Sequence, residues 1–215
     1  MNRRQFQLRI GAVGALAACG LSVRAQGPAV EGREYQRLAP PIAMPPGKID
    51  LVFFFGYWCP HCNSFEPTLE PWARKLPADV AFRRVPVGFQ PWHEPYQRLY
   101  YALEALGLVE ALHMRAFAAV HTGHQRLEKE ADIQKWAAQN GQDGAKIVDA
   151  MKSFSTASKL RQGTQLVSEY HIDSVPTLGI HGRFTTSPSS AGSHERVVQV
   201  AEQLIAQIRA GAKKG

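Results

Sequence analysis

The chain has 215 residues, of which 45% are hydrophobic and 20% charged, with three cysteines and a formal net charge of +7. This composition excludes a disordered or collagen-like chain, and three cysteines are too few for a small fold built on disulfides. The length allows one domain, or one domain that carries a large insertion.

The first predicted element is a secretory signal peptide over residues 1–25. Three arginines precede the apolar run 10–21, and residues 23–25 form a cleavage site of the Ala-x-Ala type. The run is too short to span a bilayer, which needs about 20 apolar residues. Four of the 25 basic residues and no acidic residue lie in this segment, so cleavage would leave a net charge of +3. A nucleic-acid partner is therefore not expected.

Two features of this segment leave its export route and its fate open. The residues Asn2-Arg3-Arg4-Gln5-Phe6 resemble a twin-arginine export signal, although plain secretory signals also contain paired arginines. The residues Leu16-Ala17-Ala18-Cys19 resemble a bacterial lipobox, in which Cys19 would become a lipid-anchored N-terminus instead of being removed. We therefore expect an exported protein that is either soluble or tethered by a lipid.

The next elements are strands and a helix. A short polar strand is predicted near residues 33–38, and the continuous apolar run Ile49–Phe55 is typical of a strand buried on both faces. A helical pattern begins at Cys59 and extends to about Leu76. Residues 80–87 then form the next predicted strand.

The two remaining cysteines lie in the motif Cys59-Pro60-His61-Cys62 at the start of this helix. A c-type haem site would need histidine at position 63, where Asn63 stands. A zinc site would need two more ligands, and the nearest candidates are His121 and His124, the first of them 59 residues beyond the motif. An inert structural disulfide would close only a short loop and would restrict the unfolded chain little. The pattern therefore favours redox chemistry.

The position of the motif assigns a role to each residue. Pro60 is suited to a first helical turn, which places Cys59 at the helix N-terminus, where free backbone N–H groups stabilise a thiolate. Cys62 lies one turn deeper on the same face. We predict that Cys59 is the exposed nucleophile and Cys62 the shielded resolving thiol. The ring of His61 is predicted to donate a hydrogen bond or a positive charge to the thiolate, the alternative being an exposed loop residue.

After the predicted strand at residues 80–87 the pattern becomes helical. Apolar residues recur at helical spacing and are separated by glycines, which predicts an all-helical insertion over residues 91–163. The insertion divides residues 26–90, which carry the motif, from residues 164–215. Three of its histidines are expected to be surface or capping residues: His113, His121 and His124.

The last part of the chain returns to mixed structure. A helix is predicted from about Leu160 to His171, followed by the loop Ser174-Val175-Pro176-Thr177. Residues 177–181 and 184–186 form a predicted hairpin that turns at a glycine. An amphipathic helix over residues 197–208 is expected to cover the sheet.

The chain contains the segment Phe-Phe-Phe-Gly-Tyr-Trp-Cys-Pro-His-Cys and, later, the Val175-Pro176 loop. These two features, and the order of elements over most of residues 31–209, resemble the DsbA family. This is a family of periplasmic thiol:disulfide oxidoreductases and a branch of the thioredoxin superfamily. The resemblance implies an α/β, thioredoxin-like fold with an inserted all-helical domain. It implies a strongly lowered pKa for the first cysteine and an oxidising pair. It also implies a cis bond between Val175 and Pro176, opposite the motif, which leaves the Val175 backbone free to bind an extended substrate.

The chain departs from the family at one position. Members of the family carry a buried acidic residue six positions before the first cysteine, where it helps to move the proton of the buried thiol, and Phe53 stands there in this chain. The family also has a basic residue that partners this acidic residue, and Arg84 stands at that position in this chain. Because a phenylalanine cannot titrate, we hypothesise that Glu66 or water acts as the proton relay. The alternative is that Glu66 is a solvated carboxylate in the first turns of the helix.

The sequence therefore predicts a periplasmic oxidase that donates the Cys59–Cys62 disulfide to reduced exported proteins, as a monomer without a metal or other cofactor. The resemblance implies reoxidation by a quinone-linked membrane partner of the DsbB type. The alternatives are a thiol reductase for a dedicated client, a maturation factor for a metal centre, and a copper-binding module. The sequence contains no Met-x-x-Met cluster to favour copper. An isomerase is disfavoured, since fewer than 30 residues separate Ala25 from the strand at Ile49.

Overall fold

The structure, a computed structural model, describes residues 27–212. The predicted signal peptide, with Cys19 and the paired arginines, lies outside these residues. The fold is built on one mixed sheet of five strands. In chain order the strands are β1 (Tyr35–Arg37), β2 (Ile49–Phe55), β3 (Val80–Pro86), β4 (Thr177–Ile180) and β5 (Phe184–Thr186).

Strand β2 lies inside the sheet, whose order is β1-β5-β4-β2-β3. It pairs in parallel with β3 and antiparallel with β4. Side chains alternate along a strand, so Phe53 and Phe55 enter the core on one face while Val52 and Phe54 enter the core on the other. Burial on both faces explains the uninterrupted apolar run, and the prediction of this strand is confirmed.

The helices come mainly from the segment between β3 and β4. In chain order they are α1 (Pro60–Ala73), α2 (Glu94–Ala105), α3 (Val109–His121), α4 (Glu130–Gln139), α5 (Gly144–Lys152), α6 (Phe154–Glu169), α7 (Pro188–Ala191) and α8 (His194–Ala212). Helix α1 ends at Ala73 and not near Leu76 as predicted, although it continues through Pro67 and Pro71.

Helix α6 differs from the prediction. A helix was predicted from about Leu160 to His171, whereas the structure has one helix that begins earlier and runs from Phe154 to Glu169. A Cβ atom at Gly163 would lie 2.5 Å from the hydroxyl of Tyr101. The glycine in the middle of α6 therefore allows close packing against α2. The division of the chain near residue 163 stays a prediction.

The helices cover both faces of the sheet. Helices α1 and α8 pack on one face, where the main core also takes in side chains from α2 and α3. Tyr170 and Ile172, which follow α6, cover Val52 and Phe54 on the opposite face. The predicted α/β architecture, with a helical segment inserted between β3 and β4, is confirmed. Within residues 27–212 no helix is both long enough and apolar enough to cross a membrane.

Candidate active site

The Cys-x-x-Cys motif lies where the chain leaves β2 and enters α1. Cys59 is the N-cap residue of α1, and Pro60 occupies the first helical turn, where its missing N–H would have no intrahelical partner. The backbone N–H of Cys62 donates to Cys59 Sγ at 3.4 Å. The predicted placement of Cys59 at a helix N-terminus is confirmed.

Cys59 is more enclosed than the sequence suggested, whereas Cys62 is shielded as predicted. Cys59 is 3% exposed and Cys62 is fully buried, so the prediction of an exposed Cys59 is wrong, although Cys59 remains the less buried of the two. One cause is the loop before β4. The thiol of Cys59 donates to the backbone carbonyl of Val175 at 3.4 Å, and the peptide bond between Val175 and Pro176 is cis, as the family resemblance implied.

The surroundings of the two thiols shift their pKa values in opposite directions. A hydrogen bond from the Cys62 side chain, together with the backbone N–H groups of Cys62 and His61, lowers the pKa of Cys59 to about 7 although burial opposes this. Burial, followed by the interaction with Cys59, raises the pKa of the Cys62 thiol far above its ordinary value. Cys59 is therefore suited to be a thiolate and Cys62 a protonated thiol near neutral pH.

A cleft of about 290 Å³ opens beside the motif. It is bordered by His61 of α1, by the Val175-Pro176 loop, by Pro188 of α7 and by His194 at the start of α8. The side chain of His61 is exposed and lines this cleft, while its backbone N–H contributes to the stabilisation of Cys59. The cleft thus brings His61 of the motif and the predicted substrate-binding loop to one surface, and Cys59 is bonded to that loop at Val175.

Glu66 lies one turn beyond Cys62 on α1 and is fully buried. Arg84 of β3 donates to both of its carboxylate oxygens at 2.9 Å and also pairs with Glu70. Burial alone would raise the pKa of Glu66, but the hydrogen bonds from His113 and Arg84 lower it to about 2. The alternative of a solvated carboxylate is wrong. Phe53, at the position of the family's acidic residue, is buried and packs edge-on against Phe65.

The sequence missed the role of His113, which is 5% exposed and not a surface residue. Its Nε2 lies 2.7 Å from Glu66 Oε1, and its Nδ1 lies 2.9 Å from the hydroxyl of Tyr57. His121, on the same helix, is half-buried and donates from Nε2 to the backbone carbonyl of Tyr57 at 2.8 Å. His124 is exposed, as expected.

A signal for His113 was present in the helical spacing. His113, Phe117 and His121 follow each other at intervals of four, and the buried Leu112 and Ala116 lie beside them. This face of α3 points towards the core, where Phe55 and Tyr57 pack against the His113 ring. Among the described residues, no group of three or more His, Cys, Asp and Glu side chains is arranged to hold a metal ion.

Comparisons with known proteins agree on one family. A model of the DSBA-like thioredoxin domain matches residues 93–193. The thiol:disulfide interchange protein DsbA of Bordetella parapertussis is 39% identical over 206 residues, which are 94% of this chain and 96% of that protein. The chain belongs to the DsbA family. The DsbA of Pseudomonas aeruginosa is 35% identical over 85% of this chain and 87% of that protein.

Solved structures of the DsbA family share the fold. The crystal structure of Pseudomonas aeruginosa DsbA has a TM-score of 0.82 and 34% identity, and the match covers 86% of this chain and 97% of that one. The oxidoreductase NmDsbA1 of Neisseria meningitidis has a TM-score of 0.76 and 27% identity over 86% and 96% of the two chains. The protein is therefore a protein-disulfide oxidoreductase with the thioredoxin-like DsbA fold.

Proposed function

We propose that this member of the DsbA family is a periplasmic oxidase that donates the Cys59–Cys62 disulfide to reduced exported proteins. The observation that carries the proposal is membership of the DsbA family, and the position of Cys59 at the N-cap of α1, where hydrogen bonds lower the pKa of its thiol, supports the direction of exchange. A stabilised thiolate stabilises the reduced pair, so the disulfide accepts electrons more readily. About 1.4 kcal/mol of such stabilisation raises a two-electron potential by roughly 30 mV.

The proposed reaction is two successive thiol–disulfide exchanges. A client thiolate attacks Cys59 Sγ, the bond to Cys62 breaks, and Cys62 leaves as a thiolate that takes up a proton. A second client thiolate then attacks the client sulfur of the mixed disulfide, and Cys59 leaves as a thiolate stabilised by the N-terminus of α1. The client gains one disulfide and the pair Cys59 and Cys62 gains two electrons.

The cleft beside the motif is the proposed client site. The backbone of Val175, held beside Pro176, is proposed to pair with an extended client segment, which gives affinity with little sequence preference. The exposed ring of His61 borders this cleft, and the exposed Pro60 precedes it in the first turn of α1. Glu66 is proposed as a member of the proton relay for Cys62, in place of the acidic residue that Phe53 replaces.

Family membership supports the proposed setting of the reaction. Residues 1–25 are proposed to direct the chain to the periplasm, by the general or the twin-arginine route, with Cys19 either removed or lipidated. A quinone-linked membrane protein of the DsbB type is proposed to reoxidise the pair. We propose that the chain acts as a monomer, with residues 26–90 and 164–215 forming the thioredoxin-like part around the helical insertion 91–163.

The redox potential of the mature chain tests the oxidase assignment. We expect equilibration with glutathione buffers to give a potential at the oxidising end of the known range, well above the roughly −270 mV of thioredoxin. Alkylation of free thiols followed by mass analysis separates the oxidised from the reduced fraction. A potential near that of thioredoxin would instead indicate a reductase. Tight stoichiometric binding of Cu(I), without oxidation of a reduced test protein, would indicate the copper module.

A further inference from the structure

The indole of Trp58, which directly precedes Cys59, is held by the loop that joins β3 to α2. Its Nε1–H donates to the backbone carbonyl of Val87 at 3.2 Å. The indole stacks on the imidazole of His93, with ring centroids 3.9 Å apart and planes 6° from parallel. It also lies against Gly56, where a Cβ atom would be 2.4 Å from Nε1. Trp58 therefore connects this loop to the turn that leads into the motif.

The same turn sets the position of Cys59. The backbone N–H of Cys59 donates to the carbonyl of Gly56 at 3.0 Å, which closes the turn across Tyr57 and Trp58. Cys59 then takes the N-cap position of α1, where its sulfur accepts from the backbone N–H of Cys62. Because Trp58 is part of this turn, its packing helps to fix the sulfur at the helix N-terminus, where a thiolate is stabilised.

The hydrogen bonds of His93 fix its tautomer. Its Nδ1 accepts from the backbone N–H of Phe89 at 2.9 Å and from that of Gln90 at 3.2 Å. Nδ1 therefore presents a lone pair, and the proton of the neutral ring is on Nε2. His93 is 3% exposed, and within residues 27–212 its buried Nε2 has no hydrogen-bond partner.

The unpaired Nε2–H group shows which ring atom contributes at this position. A buried donor without a partner costs free energy, and an apolar ring would fill the same space without that cost. What an apolar ring could not supply is the acceptor at Nδ1, which holds two successive backbone N–H groups of the loop. His93 therefore fixes the loop through Nδ1 and supports Trp58 through its stacked face.

A second proton on the ring is incompatible with this arrangement. The protonated imidazole has an N–H group at both nitrogens, so Nδ1–H would face the N–H groups of Phe89 and Gln90, and both hydrogen bonds would be lost. Phe89 and Gln90 are exposed, so their N–H groups can bond to water once the loop moves away. Burial also lowers the pKa of His93 below its ordinary value, in agreement with a ring that is held neutral.

The groups on the elements around His93 do not compensate a charged ring. Glu94 of α2 pairs with Arg98. Glu128 accepts from the hydroxyl of Tyr96, which packs on the same aromatic cluster. Burial is the one cause of the shift in the pKa of His93, and within residues 27–212 no charged neighbour contributes to it. The other titratable groups on the motif and on α2 are Cys59, His61, Tyr100, Tyr101 and Glu104.

We propose that neutral His93 is a positioning residue for exchange at Cys59, and that its protonation in acid releases the loop 87–93 and the indole of Trp58. It acts through Trp58 and the turn that begins at Gly56. In the released state the sulfur of Cys59 is less firmly held at the N-terminus of α1, so its thiolate is less stabilised and attacks a disulfide more slowly. The inference rests on the proposed exchange at Cys59.

The variant His93→Asn tests the proposal, because the asparagine Oδ1 can accept in place of Nδ1 but takes up no proton. Each reduced chain is mixed with oxidised glutathione, quenched with acid at intervals and analysed by mass. The disappearance of the reduced chain gives the rate at which the Cys59 thiolate forms a mixed disulfide and releases one glutathione thiolate. The ordinary loss of thiolate in acid is common to both chains and cancels in the ratio of their rates.

The ratio of the two rates is expected to depend on pH. We expect the variant and the parent to react equally fast at about pH 7.5, where the ring of His93 is neutral. At about pH 4.5 the variant should be at least about threefold faster, the scale of weakening the stabilisation of an anion at a helix N-terminus. A ratio that stays constant over this range would overturn the proposal.

The matched control is His121→Asn. His121 is half-buried and its ring is stacked near that of Phe117, but its Nε2 donates to the backbone carbonyl of Tyr57 at 2.8 Å. A donor keeps its proton when the ring becomes charged, so we expect the rate ratio of this variant to the parent not to change with pH. The same pH profile in both histidine variants would overturn the proposal.

Nitrogen-15 NMR of the parent chain needs no substitution and covers the case in which His93→Asn does not fold. At about pH 7.5 we expect a neutral His93 ring with its proton on Nε2. On acidification, the ring, the amides of Phe89 and Gln90 and the indole N–H of Trp58 should change together, with a pKa below the ordinary histidine value of about 6.5. A proton on Nδ1 at about pH 7.5, or titration of His93 that leaves the Trp58 signal unchanged, would overturn the proposal.

Failure of this inference and failure of the proposed function are separable. The rate ratio and the NMR titration concern attack by Cys59 on any disulfide, whereas the redox potential decides between an oxidase and a reductase. A reducing potential, together with the expected ratio and titration, would reject the oxidase role and support the role of His93. An oxidising potential with a constant ratio would support the oxidase and reject the role of His93.

Discussion

Replacing Arg84 by methionine is expected to destabilise the protein by about 3–5 kcal/mol, the usual cost of breaking a buried ion pair from one side. The Arg84 side chain is 10% exposed and bonds both oxygens of the fully buried Glu66 carboxylate. Its removal leaves His113 as the remaining side-chain donor to that carboxylate. Urea unfolding at pH 7 measures the loss.

The pH dependence of this loss has a definite sign. In the parent, the pKa of Glu66 is lowered to about 2 from an ordinary value near 4.5, so its contribution to stability is present above pH 4.5 and is lost as the pH falls towards 2. Without Arg84, burial raises this pKa and the carboxyl becomes protonated more easily. We therefore expect the difference between parent and Arg84→Met to shrink as the pH falls from about 5 to about 3.

The neighbouring Arg83 provides the matched control. It also forms a two-point ion pair, donating to both oxygens of Asp50 at 2.8 Å, but its side chain is 40% exposed. Because solvent screens this pair, we expect Arg83→Met to cost no more than about 1 kcal/mol. Equal losses in the two variants would contradict the claim that the Glu66 site is a buried charge cluster that depends on Arg84.

The second large effect concerns the two cysteines, whose single serine variants should behave differently. Cys62→Ser is expected to lose disulfide donation completely and to accumulate a stable mixed disulfide on Cys59, since no thiol remains to resolve it. Cys59→Ser should form almost none, because Cys62 is fully buried and its pKa is raised. Incubation with oxidised glutathione or a disulfide-bonded test protein, followed by mass analysis, measures the adducts.

The comparison of the two variants decides the assignment of roles. Equal adduct formation would mean that the difference in burial does not control which thiol attacks the disulfide. Adducts mainly on Cys62 would reverse the roles. A Cys59→Ser/Cys62→Ser double variant, which should form no adduct on the motif, controls for nonspecific trapping.

Much of this architecture is visible in the sequence because local patterns specify it. The uninterrupted apolar run Ile49–Phe55 is compatible with a strand covered on both faces, and Pro60 fixes where α1 begins. The cis bond before Pro176 came only from the family resemblance, since most bonds before proline are trans.

The features that the sequence did not specify depend on contacts between distant segments. The burial of Cys59 depends on the Val175 loop, 116 residues away in the chain. The role of His113 depends on Glu66, which lies 47 residues before it. The need for glycine at position 163 depends on the hydroxyl of Tyr101, which packs against it from α2. Cysteine, histidine and glycine each have several common roles in proteins. In these three cases the contacts made in the folded protein determine which role the residue has.

The most direct test of the central claim is a pH titration of thiolate absorbance near 240 nm in the reduced mature chain. We expect one thiolate to form with a pKa of about 7, assigned to Cys59 by its absence in Cys59→Ser, while Cys62 stays protonated well above that pH. The lowered pKa should also stabilise the folded reduced chain at alkaline pH, and this contribution should be lost as the pH falls through 7. Titration of both thiols near the ordinary pKa of cysteine, about 8.5, would contradict the account.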